Sequence, residues 1–406
     1  MRIEKLTTVS SLYTEKVLES GMFSVVNTSS SGSGSTSTSW QVANIVTGTT
    51  TFASLPEPPI IRAMWSIDGN LWYDSATRIP FVYNITQGGS TLATLAGMTH
   101  GCSIGVDNNT IYARTGNGQH GNVTINNSGQ YTWSGVSKTF NIKYAIIEPS
   151  SSVNVTSKRN SLVNKLIANG NVNFSGTVNT VREFTQTIPI DYVPNFFSIE
   201  FIVRNHNVSD IPNNMWTHSN GVGYTISGQD PNRIFVYGGV RNDGNLIISA
   251  FASSGSTVAT TTNFTVDYRL IDLGASQSIG TTNLNNIALV NKYNSPSRSG
   301  ASVDTATAPS TSSGMSSSLT KHFNGVTFID HYYDAADNGI FWRNSSAITQ
   351  QDLSSTFGGV LYPEALVYND ANSVNAYWTA GYSGGPVNPS GRRLRYIEYG
   401  DYSDVT

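Results

Sequence analysis

Three runs of the chain end alike: Phe140-Asn141-Ile142-Lys143-Tyr144-Ala145-Ile146-Ile147-Glu148, Phe264-Thr265-Val266-Asp267-Tyr268-Arg269-Leu270-Ile271-Asp272 and Leu394-Arg395-Tyr396-Ile397-Glu398-Tyr399. Each is short and rich in β-branched and aromatic residues, the composition of a half-buried strand. Their aligned tyrosines, Tyr144, Tyr268 and Tyr396, stand 124 and 128 residues apart. Recurrence at a fixed spacing points to one folding unit used three times.

The segments upstream repeat as well. Pro58-Pro59-Ile60-Ile61-Arg62-Ala63-Met64-Trp65 parallels Pro194 to Val203 and Val326 to Tyr333. These runs are bounded by Pro or Gly, which punctuate strands. Between opening and closing strands lie runs that read as strand, Asp/Asn-centred turn, strand: Ile104–Tyr112, Ile226–Phe235 and Leu366–Val374. Asn and Asp tolerate the left-handed backbone that tight turns need, so each reads as a hairpin. With no long helical period between such runs, the expectation is an all-β chain of three tandem antiparallel β-sandwich modules.

Short helices are expected to join the modules. Ser11–Gly21 has apolar spacing and ends in Gly, and Leu162-Val163-Asn164-Lys165 recurs as Leu289-Val290-Asn291-Lys292. Helices at Leu12–Leu18, Leu162–Ile167 and Leu289–Tyr293 would be too brief to stand alone in water. That motivates a homo-oligomer, a trimer above all, in which a second copy covers them. Asn27 to Trp40 and Ala301 to Ser318 are almost wholly Ser, Thr and Gly or Ala. They read as flexible linkers, the rival being extended strands lying on a neighbouring subunit. The resulting division is an anchor helix and linker over 1–39 and modules over 40–150, 151–274 and 275–406, with residues 1–24 expected to attach the protein to a larger assembly.

Composition narrows the function. Of 406 residues, 173 are Ser, Thr, Asn or Gly, and only 12% are charged, half of the usual share. A net charge of −3 with scattered Lys and Arg provides no basic footprint for nucleic acid. No 18-residue apolar run suggests membrane insertion. Met1–Leu6 lacks the apolar core of a signal peptide. The single cysteine, Cys102, reads as a small half-buried residue rather than a nucleophile.

The chemistry-bearing residues do not assemble into a catalytic pattern. The histidines are scattered, and the nearest useful pair, His322 and His331, lacks companions for a metal. Ser318-Leu319-Thr320-Lys321 matches Ser-x-x-Lys but lies in a Ser-rich loop without the companion motifs. Asp330, Asp334 and Asp337 cluster in sequence, yet no sugar cleft is legible around them. No catalytic residue, metal or cofactor is expected.

Recognition remains. Trp72 and Tyr73 flank the turn Asp68-Gly69-Asn70, while Tyr333, Trp342 and Arg343 flank Asp337-Asn338-Gly339. Adjacent strand residues point to opposite faces, so not all of these rings can be buried. They are candidates for stacking on a host glycan, the alternative being that they fill the cores.

The Ser/Thr/Asn/Gly-rich composition and the repeated module endings resemble bacteriophage virion proteins of the tail-fibre, baseplate-appendage or head-decoration type. The strand order, clearest from Phe52 through Pro58-Pro59 to Phe140–Glu148, is similar to the H-type lectin sandwich, although Tyr144-Ala145-Ile146 departs from that family's last-strand pattern. The resemblance implies a structural, adhesive, non-enzymatic role in the virion, with other virion proteins and a host surface glycan as partners. A non-viral adhesin and a polysaccharide depolymerase are the competing readings.

Overall fold

The computed structural model describes residues 14–29, 31–35, 44–56, 58–75, 77–87, 90–117, 120–125, 130–150, 166–178, 181–204, 217–218, 233–253, 260–273, 280–282, 292–294, 315–320, 328–334, 340–343, 365–369, 373–378 and 393–399. These residues are mostly strands, all paired antiparallel, and no helix is present among them.

The first stretch contains β1 (Thr14–Thr28), β2 (Gly32–Ser35), β3 (Asn44–Thr51), β4 (Ile60–Ser66), β5 (Leu71–Asp74), β6 (Arg78–Gln87), β7 (Ser90–Val106), β8 (Thr110–Asn117), β9 (His120–Ile125), β10 (Gln130–Gly135) and β11 (Ser137–Ser150). The second holds β12 (Leu166–Val178), β13 (Val181–Pro189), β14 (Phe197–Arg204), β15 (Thr217–His218), β16 (Arg233–Arg241), β17 (Asn245–Ser253) and β18 (Thr260–Asp272). The third begins with β19 (Gly280–Thr282) and β20 (Lys292–Asn294), then β21 (Met315–Thr320), β22 (Phe328–Asp334) and β23 (Phe341–Arg343). It closes with β24 (Ala365–Asn369), β25 (Ser373–Trp378) and β26 (Arg393–Tyr399).

One pairing pattern recurs in all three stretches. The long closing strand lies between an early strand and an opening strand: β1-β11-β4, β12-β18-β14 and β20-β26-β22. The opening strand then turns back through a short arm, β5, β15 or β23. A second trio in each stretch pairs as β3-β8-β7, β13-β17-β16 and β21-β25-β24, while the first stretch adds β6 on β7 and a separate sheet β2-β10-β9. The aligned tyrosines take equivalent places: Tyr144, Tyr268 and Tyr396 stand opposite Ala63, Phe201 and His331. On their other side stand Gly21, Gly170 and Lys292. A Cβ on Gly21 would lie 2.8 Å from the Tyr144 hydroxyl, and one on Gly170 3.1 Å from that of Tyr268. Both early strands also bulge at the same place, Val17/Glu19 and Leu166/Ala168.

The buried apolar side chains form a core cluster that draws on strands of several sheets. In the first stretch Trp65 packs on Tyr73 and Phe140 with ring centroids 4.8 and 5.7 Å apart. Ile104, Ile111 and the fully buried Cys102 belong to the same core, and burial pushes the Cys102 thiol well up in pKa. In the second stretch Phe174, Phe184 and Phe264 form a mutual cluster at 5.3–6.0 Å. Glu200 and Arg269, directly opposite each other on β14 and β18, form a buried ion pair.

Several expectations are corrected. Ser11–Gly21 is not a helix, because from Thr14 it is β1, paired with β11 as far as Thr28. Alternation carries more weight there than the helical spacing, since Val17 and Val25 are buried while Met22 and Val26 are exposed. Residues 14–24 are therefore part of the first sheet rather than a free anchor, and residues 1–13 lie outside the described residues. Leu166 and Ile167 begin β12, and Lys292 and Tyr293 belong to β20. The rest of those two expected helices lies outside the described residues. Part of the run after Asn27 is placed: Asn27 donates from Nδ2 to the carbonyls of Asn44 (2.9 Å) and Thr115 (3.0 Å), and Gly32–Ser35 pairs with β10 of its own chain, while residue 30 and residues 36–40 lie outside the described residues. Of the later Ser-rich run, Met315–Ser318 is part of β21, and the remainder lies outside the described residues. Of the hairpin expected at Ile226–Phe235, residues 226–232 lie outside the described residues and 233–235 begin β16, which turns into β17 at Asn242–Gly244 with Gly244 at φ +83°.

Candidate functional site: the junctions between stretches

The sheets do not stop where the repeats do. One eight-stranded sheet runs β13-β17-β16-β5-β4-β11-β1-β19, joining the second stretch to the first. Another, also of eight strands, runs β20-β26-β22-β23-β7-β8-β3 with β6 paired on β7, joining the third to the first. In both, the arm following the opening strand adds to the edge of a neighbouring stretch. Edge strands carry unpaired N–H and C=O groups, and such addition satisfies them.

The first junction is built from a turn and two rings. Asp68 Oδ1 accepts from the amides of Asn70 and Leu71, each at 2.8 Å, and Gly69 takes φ +73°, which folds β5 back on β4. That turn meets the β16–β17 turn, where Asn242 donates its amide to the Asn70 carbonyl and its side-chain Nδ2 to the Gly69 carbonyl, both at 3.0 Å. Trp72 then stands opposite Val240 and Leu71 opposite Arg241. Gly239 permits the approach: a Cβ there would lie 2.7 Å from the Trp72 carbonyl oxygen and 2.9 Å from Tyr73 Cδ1. Burial pushes the Tyr73 phenol well above its ordinary pKa, with the charges of Asp68 and Glu183 adding to the shift. Lys143 reaches across with Nζ 4.6 Å from the Trp72 ring centre and 5.7 Å from that of Phe196. Its burial lowers the ammonium pKa to about 8.

The second junction repeats the first. Phe341 stands opposite Val106 and Trp342 opposite Gly105. A Cβ on Gly105 would lie 2.8 Å from both Ile340 Cγ2 and Trp342 Cε3. Trp342 is fully buried, with the Arg114 guanidinium 4.6 Å from its ring centre and Tyr112 tilted against it at 6.4 Å.

The two junctions meet at a buried polar contact. Arg343 Nη1 lies 3.6 Å from Asp74 Oδ1, the side chains being 0% and 1% exposed. Ser198 Oγ, from β14, donates to Asp74 Oδ2 at 3.1 Å, and the Ser75 amide donates to Oδ1 at 2.7 Å. All three stretches thus contribute a side chain to one point.

The candidate glycan residues read differently in this setting. Trp72, Tyr73, Trp342 and Arg343 are all buried. A sugar could stack on these rings only if a junction opened. In the first arm Tyr73 stacks on Trp65 of its own stretch while Trp72 pairs with Val240 of the second, and in the other arm Trp342 and Arg343 both meet residues of the first stretch. Tyr333 is placed in β22, opposite Trp342. Residues 335–339, with the Asp337-Asn338-Gly339 turn, lie outside the described residues. Sequence reading found the aromatic arms but missed Gly105, Gly239, Asp74 and Ser198. The repeated pair Gly-Val at 105–106 and 239–240 was the available signal.

Among the described residues no three His, Cys, Asp or Glu side chains are grouped to hold a metal ion, and no helix is long and apolar enough to cross a membrane. No protein-family model, curated protein or solved structure matches the chain.

Proposed function

We propose that the chain is a structural, non-enzymatic component of a bacteriophage particle, a fibre, appendage or decoration protein made of three tandem β-sandwich modules. The observation that carries this reading is the continuity of two eight-stranded sheets across the repeats. Modules tethered by flexible linkers reorient freely, whereas modules sharing a hydrogen-bonded sheet move together. A chain whose aromatic tips and glycines serve to fasten its own units to one another is suited to bearing load or holding a fixed shape. The sparse charge and the abundance of hydroxyl and amide side chains agree with an exposed particle surface.

One ground for expecting a homotrimer, short helices in need of cover, is lost where those residues are strands. Attachment to other virion proteins has to involve surfaces other than the buried parts of β1. The test is to purify particles by density gradient from a lysate of the host that carries the gene, and to quantify the chain by mass spectrometry. A fixed copy number relative to the main shell protein is expected. Recovery of the chain only in the particle-free fraction overturns the proposal and favours the adhesin reading.

A further inference from the structure

The two junctions have a direction. The first stretch gives its arm β5 to β16 of the second, and the third gives its arm β23 to β7 of the first. In each case the recipient is the equivalent strand, and the arm lands where its register meets Gly239-Val240 or Gly105-Val106. One arm and one recipient remain, β15 of the second stretch and β24 of the third, and these two lie alongside each other. First to second, second to third and third to first is a cycle, and interfaces that repeat head to tail close into a ring when the rotation allows.

A second observation locates the axis of that ring. Asp74 stands opposite Met64 and Arg343 opposite Tyr332, which are equivalent positions when the repeats are aligned on Tyr144 and Tyr396. Equivalent residues touch one another only close to the axis that relates them. Here they form the buried pair that Ser198 of the remaining stretch joins.

We propose that the chain closes on itself as a ring with internal three-fold pseudo-symmetry, β15 and β24 forming the third seam, so that one copy fills all three places of a homotrimer. The inference rests on the three-module reading. It gives the covalent linkage a purpose. Three identical subunits would bring three like charges, or none, to the axis, whereas a single chain can set Asp74 against Arg343. The seams can differ too. At the register of Gly105 the third stretch has Tyr368, since Asn369 opposite Val374 corresponds to Val106 opposite Ile111. The third seam therefore closes without the glycine seat, and a closed ring has no arm left to recruit a further copy.

Disulfide trapping and light scattering on the full chain test the proposal. Cysteines are placed at Thr217 or His218 together with each position from Ala365 to Asn369, and separately at Leu71 and Arg241, which face each other at the first junction. A ring predicts cross-linking within one chain for the Leu71/Arg241 pair and for at least one pair across β15 and β24, with a solution mass of 43.7 kDa. Cross-linking at Leu71/Arg241 alone leaves the joined modules standing and overturns the ring. A mass three times larger, or β15–β24 links only between copies, overturns it in favour of a homotrimer. Failure of the Leu71/Arg241 pair removes the joined-module reading itself.

Discussion

Replacing Trp342 by Ala separates a junction residue from an exposed ligand contact. The ring is 0% exposed and is enclosed by Gly105, Tyr112, Arg114 and Ile340. An aromatic side chain of this size removes about 200 Å² from water, which at about 25 cal/mol per Å² sets an upper value near 5 kcal/mol. Truncating buried Trp or Phe to Ala typically costs about 3–5 kcal/mol once the cavity is included. The Arg114 guanidinium also loses its aromatic partner, about 0.5–2 kcal/mol in other settings. For a unit of roughly 100–150 residues, 1 kcal/mol shifts Tm by about 4 °C, so a fall of about 12 °C or more is expected. Calorimetry with parallel tryptophan fluorescence reads the transition. An exposed control, Met22→Ala at 58% exposure, should move it by less than about 2 °C. A Trp342→Ala protein that melts within about 1 °C of the parent would refute the junction and restore Trp342 as a surface residue.

Three further expectations concern the same seams. Gly239→Ala should cost about 1–3 kcal/mol in urea unfolding because its Cβ meets the Trp72 carbonyl, whereas Gly105→Ala should cost less because only side chains must yield; the reverse order would count against the described registers. Asp74→Leu or Arg343→Met alone should destabilise by about 3–5 kcal/mol, while the two together should cost far less than the sum of single changes; additive costs would show that the two do not interact. Lys143 has a folded pKa lowered to about 8 against an ordinary 10.5, so between those values the unfolded chain holds more protons and stability rises with pH. The gain should be about 1 kcal/mol from pH 7 to 9 and vanish in Lys143→Met. Above pH 10 the sign reverses, because burial raises the phenols of Tyr73 and Tyr237 and the unfolded chain then loses protons first. A flat profile from pH 7 to 9 in the parent protein would place Lys143 in water.

The residues themselves determined the strands. Closing runs such as Phe140–Glu148 and opening runs such as Ile60–Trp65 are recognisable because β-branched and aromatic side chains favour a pleated, buried surface whatever they later pack on. The repeat was legible for the same reason: three copies of one pairing pattern keep the tyrosine at one place in the closing strand, beside Gly21, Gly170 or Lys292. Beyond that, local sequence was ambiguous. Thr14–Gly21 has spacing that fits a helix as well as a strand, and only fourteen paired positions along β11 decide for the strand. The Ser/Gly run after Asn27 looks like a linker until Asn44, Thr115 and β10 supply partners far away in sequence. The aromatic arms were visible, but their destination was not. How closely the arms approach a neighbouring stretch depends on glycines at 239 and 105, more than a hundred residues distant in sequence, leaving room for the Tyr73 and Trp342 rings. Asp74 and Arg343 lie 269 positions apart in the chain, and only the folded chain brings them together. Burial of adjacent strand residues on both faces is a property of two units meeting, and no single unit's sequence encodes it.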